Sequence, residues 1–296
     1  SMRQDSSSKG IYINNQANPS ATVTITNIGA NSGDFTGNGA RGLEIYTTKN
    51  LTITGANSSY GGAGGAILTS SGGSVTLKNG NFSYNPSHGA WVNGTNISIA
   101  SVQASNNFGS GLDLNANGTI TVTSPTGTLA TYVGNTGYGV DVSTNGAVTL
   151  SNLFASSNAL GVSVNTKGNV SITNIMAYYN TNQGVYVRTE GTITLKNITT
   201  YDNHYTGVDL QNDLLGLNRG VSLTDLNLDK DDYHGLYVVS SGPITLKNVN
   251  VSNTSTGICV RLANGGVESN SPITFTNGKL DNCGQEGVYV RSNGAV

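Results

Sequence analysis

Residues 184–203 read GVYVRTEGTITLKNITTYDN. Gly184 opens a short alternating strand in which Val185 and Val187 share one face. A turn at Glu190 and Gly191 leads into a second strand, with Ile193 and Leu195 together on one face. Asn197 ends that strand, Ile198 and Thr200 begin a third extended piece, and Asn203 closes the unit before Gly207 restarts it. Alternation with a period of two marks strands that bury one face.

The same unit fills nearly the whole chain. Its opening glycines are Gly10, Gly42, Gly65, Gly89, Gly111, Gly139, Gly161, Gly184, Gly207, Gly235, Gly257 and Gly287, a base period of 22 or 23 residues lengthened by insertions. The first and third residues behind them are apolar, as in Leu112/Leu114, Val140/Val142 and Val208/Leu210, and the second strand repeats the pattern in Val75/Leu77 and Ile244/Leu246. One such unit cannot cover its apolar row, whereas stacked units bury it against the rows above and below. Parallel strands lie about 4.8 Å apart, so the stack is expected to run roughly 50–60 Å. Parallel crossover connections favour the right hand. The expected fold is all-β: a right-handed parallel β-helix (β-solenoid) of about 11–12 turns of 22–23 residues, with three short strands per turn.

Two asparagine columns accompany the strands. One follows the second strand and includes Asn79, Asn152, Asn174, Asn197, Asp225, Asn248 and Asn277. The other lies four residues before the opening glycines and includes Asn38, Asn85, Asn107, Asn135, Asn180, Asn203, Asp231 and Asn253. Asparagine tolerates left-handed backbone angles, and its amide bonds to neighbouring turns. Both columns are therefore read as structural ladders, with Asn197 among buried polar partners. From Gly10 onward the chain resembles the right-handed parallel β-helix repeat proteins, the pectate-lyase-like fold, and is most similar to non-catalytic bacterial surface and adhesin segments. That resemblance implies a fold shared by lyases, hydrolases, epimerases, adhesins and passive stalks, so activity has to be argued from a site.

Composition narrows the classes. Charged residues make up 10% of the 296 and the formal net charge is −2, which argues against a general attraction to nucleic acid. Forty glycines without a three-residue period suit a turn-rich β protein. No apolar run reaches membrane-spanning length, so no membrane insertion is expected. Ser1 and Met2 read as an expression scar, and residues 1–9 as a polar lead-in to a single β-helix domain over 10–296. Strands open close to both ends without a polar cap, which predicts a segment of a longer protein whose neighbouring repeats are its partners. Low charge fits a secreted or bacterial cell-surface location. The two cysteines, Cys259 and Cys283, make no disulfide framework and are read as free thiols.

Several places could carry chemistry. Asp113 and Asp141 share one outward column in adjacent turns, a pair with the chemistry for calcium binding or acid–base work. They are the only catalytic or metal candidates this reading offers, and calcium is the one cofactor it allows. The run 229–235, DKDDYHG, resembles the paired aspartates and His-Gly of polygalacturonases, but the Arg-x-Lys signature is absent and Asp231 already belongs to an asparagine column. It therefore reads as a corner loop. Insertions at 14–21, 211–220 and 261–272 lengthen one edge, and the last two bring Asp213, Arg219, Arg261 and Glu268 into one neighbourhood.

Tyr186, Tyr237 and Tyr289 alternate in one outward column, with Cys259 between the last two. Arg188, Arg261 and Arg291 fall in the column beside it. Stacking aromatic faces and arginines together suit an acidic polysaccharide or cell-surface glycan. The second strand carries a hydroxyl side chain outward in every turn, from Thr24 to Thr274, in a Thr-x-Thr array that resembles an ice-binding face. Lys78, Lys196 and Lys247 interrupt it. The leading expectation is a non-catalytic rigid stalk or adhesive segment with a glycan-binding face. A polysaccharide lyase, hydrolase or epimerase is the alternative, and ice binding the third.

Overall fold

A computed structural model describes residues 9–18, 20–26, 35–212, 218–264, 271–292 and 294–296. The chain divides into two compact units, Ser1–Gly146 with Asn152–Phe154, and Ala147–Ser151 with Ala155–Val296. Among the described residues there is no helix, and the strands pair in parallel. In the first unit one sheet stacks Ile11–Asn15, Arg41–Thr47, Gly64–Ser70, Ala90–Gly94, Leu112–Ala116 and Tyr138–Thr144. The other stacks Val23–Thr26, Leu51–Thr54, Val75–Lys78, Ile97–Ala100 and Ile120–Thr123. In the second unit the first sheet stacks Leu160–Thr166, Val185–Thr189, Val208–Asn212, Leu236–Ser240, Val260–Asn264 and Val288–Arg291. Its companion stacks Val170–Tyr178, Ile193–Tyr201, Val221–Asp229 and Ile244–Ser252, followed by Ile273–Thr276 and Lys279–Asp281. This is the right-handed parallel β-helix that the repeat predicts.

The inward columns are those of the sequence. Val164, Val187, Leu210, Val238 and Leu262 are register partners and fully buried, as are Ile172, Leu195, Leu223 and Leu246. The third extended piece joins the second strand in one ladder in the second unit. There Asn197, at φ +54°, makes the bend and Ile198 and Thr200 continue the pairing. Glycine is needed at Gly184 because a Cβ there would lie 2.7 Å from the Gly207 carbonyl and 3.0 Å from the Asn203 amide nitrogen.

The two asparagine columns separate physically. Asn79, Asn174, Asn197, Asp225, Asn248 and Asn277 all hold left-handed angles at the edge of the turn. Asn197 donates to Asn174 at 2.9 Å and Asn248 to Asp225 at 2.7 Å, but both pairs face solvent. The expectation of buried partners for Asn197 is therefore corrected: that column is kept for its backbone angle. The buried ladder is the other one. Asn158, Asn180 and Asn203 each donate a backbone N–H and a side-chain N–H to the next residue up, and the run ends on Asp231. Asn85 and Asn107 repeat this in the first unit, where Asn107 donates to Asn135. The residue before each ladder position is left-handed, as in Tyr179, Asp202, Lys230, Asn253 and Asn282. Asn253 thus precedes the ladder position, which Thr254 occupies.

The cysteines are bonded, against expectation: Cys259 and Cys283 form a disulfide with Cα atoms 5.4 Å apart. The cause is register. Leu236 pairs with Val260 and Tyr237 with Arg261, so Cys259, rather than Gly257, stands at the opening step. Its carbonyl accepts from Leu236 N as the Gly207 carbonyl accepts from Val185 N. Cys283 follows left-handed Asn282 as Asn203 follows Asp202, so it occupies the ladder position of the next turn, half-buried there. In other turns a ladder amide lies against the opening glycine, and here that contact is a covalent bond. Closing a loop across 24 residues of sequence is worth about 3 kcal/mol. Reduction, or Cys283→Ser, is therefore expected to lower the thermal midpoint clearly. An unchanged melt with and without reductant would show that the bond contributes nothing to the fold.

Candidate functional site

The outward face of the first sheet in the second unit is where side-chain chemistry concentrates. Its register gives one column of Tyr186, Asp209, Tyr237, Arg261 and Tyr289. Arg261 therefore sits within the tyrosine column, between Tyr237 and Tyr289, where sequence spacing had placed Cys259. Arg188 and Arg291 fall in the adjacent column and are separated there by Gln211, Val239 and Ala263. The six residues expected to form one glycan face are thus split. Tyr237, Arg261 and Tyr289 adjoin, Tyr186 lies one strand beyond Asp209, and Arg188 and Arg291 stand at opposite ends of their column.

Beside this column lies a cleft of about 430 Å³, lined by Gln183, Tyr186, Tyr205, Thr206, Asp209, Gln211, Tyr233, His234, Tyr237 and Arg261. The strands supply Tyr186, Asp209, Gln211, Tyr237 and Arg261. The corners just ahead of the strands supply Gln183, Tyr205, Thr206, Tyr233 and His234. Tyr205 and Tyr233 stack at 5.1 Å between ring centroids, and His234 lies 4.0 Å from Tyr233 and 5.9 Å from Tyr237. The Arg261 guanidinium rides over the rings of Tyr237 and Tyr289, at 5.2 and 5.7 Å, a cation–π arrangement.

The polar groups of the cleft divide into two kinds. Asp209 is buried and accepts from Gln211 Nε2 at 3.2 Å and, more weakly, from Gln183 Nε2 at 3.5 Å. Burial raises its pKa above the ordinary carboxylate value, and the two amides only partly offset that. His234 is also buried, and its Nδ1 accepts from Ile258 N at 3.0 Å, which leaves the proton on Nε2. Burial, and then the Arg261 charge, lowers its pKa, so the ring is held neutral. His234 Nε2 and Arg261 Nε are both buried without a hydrogen-bond partner. Neither Asp209 nor Arg261 forms an ion pair among the described residues.

Sequence spacing alone missed Tyr205, Tyr233 and His234 as parts of a site. A signal was available, because all three lie one or two residues before an opening glycine, where the corner meets the outward face. The run 229–235 is a corner loop, as read: Asp231 is buried in the ladder, while Tyr233 and His234 emerge at the cleft. Of the late-loop cluster, Asp213 and Glu268 lie outside the described residues. Arg261 belongs to the strand Val260–Asn264 and not to a loop, and Arg219 is exposed. The bases of the two loops meet where Ser271 Oγ donates to Asn218 Oδ1 at 2.8 Å.

In the first unit Asp141 and Asp113 are register partners, as expected, and Asn115 donates to Asp113 at 2.7 Å. Among the described residues no group of three or more His, Cys, Asp or Glu side chains converges as a metal site. The outward hydroxyl row is also present, with Thr52, Thr76 and Ser98 in register in the first unit and Thr194, Ser222 and Thr245 in the second. Lys78, Lys196 and Lys247 stand exposed in the row beside it.

The fold and the repeat place the chain in a class. It matches the family described as right handed beta helix region, over residues 4–152 and again over 126–271, and it belongs to that family. No curated protein and no solved structure matches it.

Proposed function

We propose that this chain is a rigid, non-catalytic β-helix segment of a secreted or cell-surface protein that holds an acidic polysaccharide in the Tyr–Asp–His–Arg cleft. The cleft itself carries the reading. Four tyrosine rings offer faces and edges on which sugar rings pack, and Arg261 and His234 offer donors that lack acceptors. The Cys259–Cys283 disulfide fits an oxidising, extracellular compartment. Affinity electrophoresis in gels cast with polygalacturonate or alginate tests the reading. Arg261→Ala is expected to weaken retention about tenfold, with the residual binding much less sensitive to salt. Retention equal to wild type would remove this cleft from the glycan site.

A second reading follows from one observation, the buried Asp209 with a raised pKa in the same cleft as a neutral histidine. Carboxyl groups tuned in this way serve as acids in polysaccharide-cleaving sites. Release of reducing ends or unsaturated products from the same polymers, abolished by Asp209→Asn, would establish the enzyme reading over the binding one.

A further inference from the structure

The first unit has an outward face of different chemistry. Trp91, the single tryptophan of the chain, stands on the strand Ala90–Gly94 and is 38% exposed. In register with it come Asp113 and then Asp141, and the column beside them runs Asn93, Asn115 and Ser143. Asn115 spends one amide hydrogen on Asp113, at 2.7 Å, and keeps a second hydrogen and its carbonyl oxygen for a ligand. A cleft of about 390 Å³ opens where these strands end, walled by Asn93, Asn115, Asn117, Ser143 and Asn145 with neighbouring small residues. Neither the two columns nor the cleft lining contains Lys, Arg or His.

These side chains suit an uncharged sugar. The indole offers a broad apolar surface on which the C–H face of a sugar ring packs. Asp113 accepts from hydroxyls with charge-assisted strength, and the asparagines both donate and accept. A ligand carboxylate would instead meet Asp113 and Asp141 with no cation in these columns to offset them. Spacing sets the shape of the ligand. Sugar rings of an extended chain repeat about every 5 Å, close to the roughly 4.8 Å between parallel strands. A ring over Trp91 and Asn93 therefore brings the next over Asp113 and Asn115, and a third over Asp141 and Ser143. We propose that this face binds an extended, uncharged β-linked glycan laid along the stack. Trp91 is its stacking platform, and Asp113 with Asn115 its hydroxyl-binding pair. The site is separate from the acidic-polysaccharide cleft of the second unit and does not depend on it.

The single tryptophan makes the site readable by itself. Cellohexaose and mannohexaose, both neutral and β-1,4-linked, are titrated while tryptophan emission is followed, and at least one is expected to shift it saturably. Oligogalacturonate is expected to leave the emission unchanged. By calorimetry, Trp91→Ala is expected to weaken neutral-glycan binding at least about tenfold and Asp113→Ala several-fold, whereas Trp91→Phe keeps most of it. Binding is expected to persist in a chelator. An emission spectrum that neither neutral probe moves overturns the inference, as does an equal response to oligogalacturonate or binding that Trp91→Ala leaves unchanged. Binding abolished by the chelator would assign the two aspartates to a metal and overturn it too. Oligogalacturonate affinity measured by calorimetry, and its loss in Arg261→Ala, report the second unit's cleft, so either reading fails without the other.

Discussion

Asp231→Asn is expected to stabilise the protein at neutral and alkaline pH and to remove most of the pH dependence of its melting between pH 4 and 8. Asp231 stands where the ladder otherwise carries asparagine, fully buried. It accepts from Asn203 N at 3.2 Å, from Asn203 Nδ2 at 2.8 Å and from Thr200 Oγ1 at 2.6 Å. The ladder asparagines below it donate to main-chain carbonyls, as Asn180 does to Ala155 and Asn203 to Ala177. At the equivalent step below Asp231 the chain has Thr200, whose hydroxyl supplies the donor that a carboxylate accepts.

Burial raises the Asp231 pKa from 3.8 to about 7, although its hydrogen bonds and the ladder pull it down. The folded state therefore holds the proton more tightly than the unfolded chain. Its contribution is fully present below about pH 4 and is lost as pH rises through about 7. The difference amounts to about 4 kcal/mol once the group is ionised. Asp209, also raised by burial, adds a slope of the same sign. His234, whose pKa is lowered, acts oppositely, costing stability as pH falls below its ordinary value of 6.5. Thermal midpoints of wild type, Asp231→Asn and Thr200→Ala across this range read the effect. An Asp231→Asn protein that melts below wild type at pH 8 would mean that the three donors repay the buried charge in full.

Val187→Asp is expected to abolish cooperative folding of the second unit. Val187 is fully buried, paired in register with Val164 on one side and Leu210 on the other. A carboxylate there has no donor within the aliphatic column, and burying it unpaired costs several kcal/mol even after it takes up a proton. In a stack each turn also provides the surface on which its neighbours bury their own rows, so the damage spreads along the unit. Arg188→Asp, one residue on and exposed, is the control, because its side chain leaves the core untouched. Circular dichroism melts of the two variants check the prediction. A Val187→Asp protein melting like wild type would refute the inward assignment of the column.

The run GVYVRTEGTITLKNITTYDN shows how much of the fold is local. Its period-two apolar pairs assign inward faces that the register then reproduces residue for residue, from Val187 to Leu195. Strand alternation is a short-range property, and stacking identical units leaves little else for it to decide. The paired aspartates, Asp113 and Asp141, were equally legible because both follow their glycine at the same distance. Where the chain departs from the regular count, spacing misleads. Taking Gly257 as the opener displaced Cys259 outward and Arg261 sideways. Two residues of register, set by the pairing of Leu236 with Val260, restored the disulfide and put Arg261 in the tyrosine column.

The two asparagine columns looked alike in sequence because both favour left-handed turns. Only the packing separates them: Asn197 bends the chain in water, whereas Asn203 bonds across turns in a buried corner. The cleft is the least legible element, since its walls come from corners and strands of different turns. By itself the sequence determined the solenoid, its inward rows and its repeat, all fixed by interactions within one turn and between equivalent positions. Tertiary structure decided which outward residues meet, because Gln183, Asp209, His234 and Arg261 become neighbours only when insertions of unequal length have been absorbed and the turns stacked.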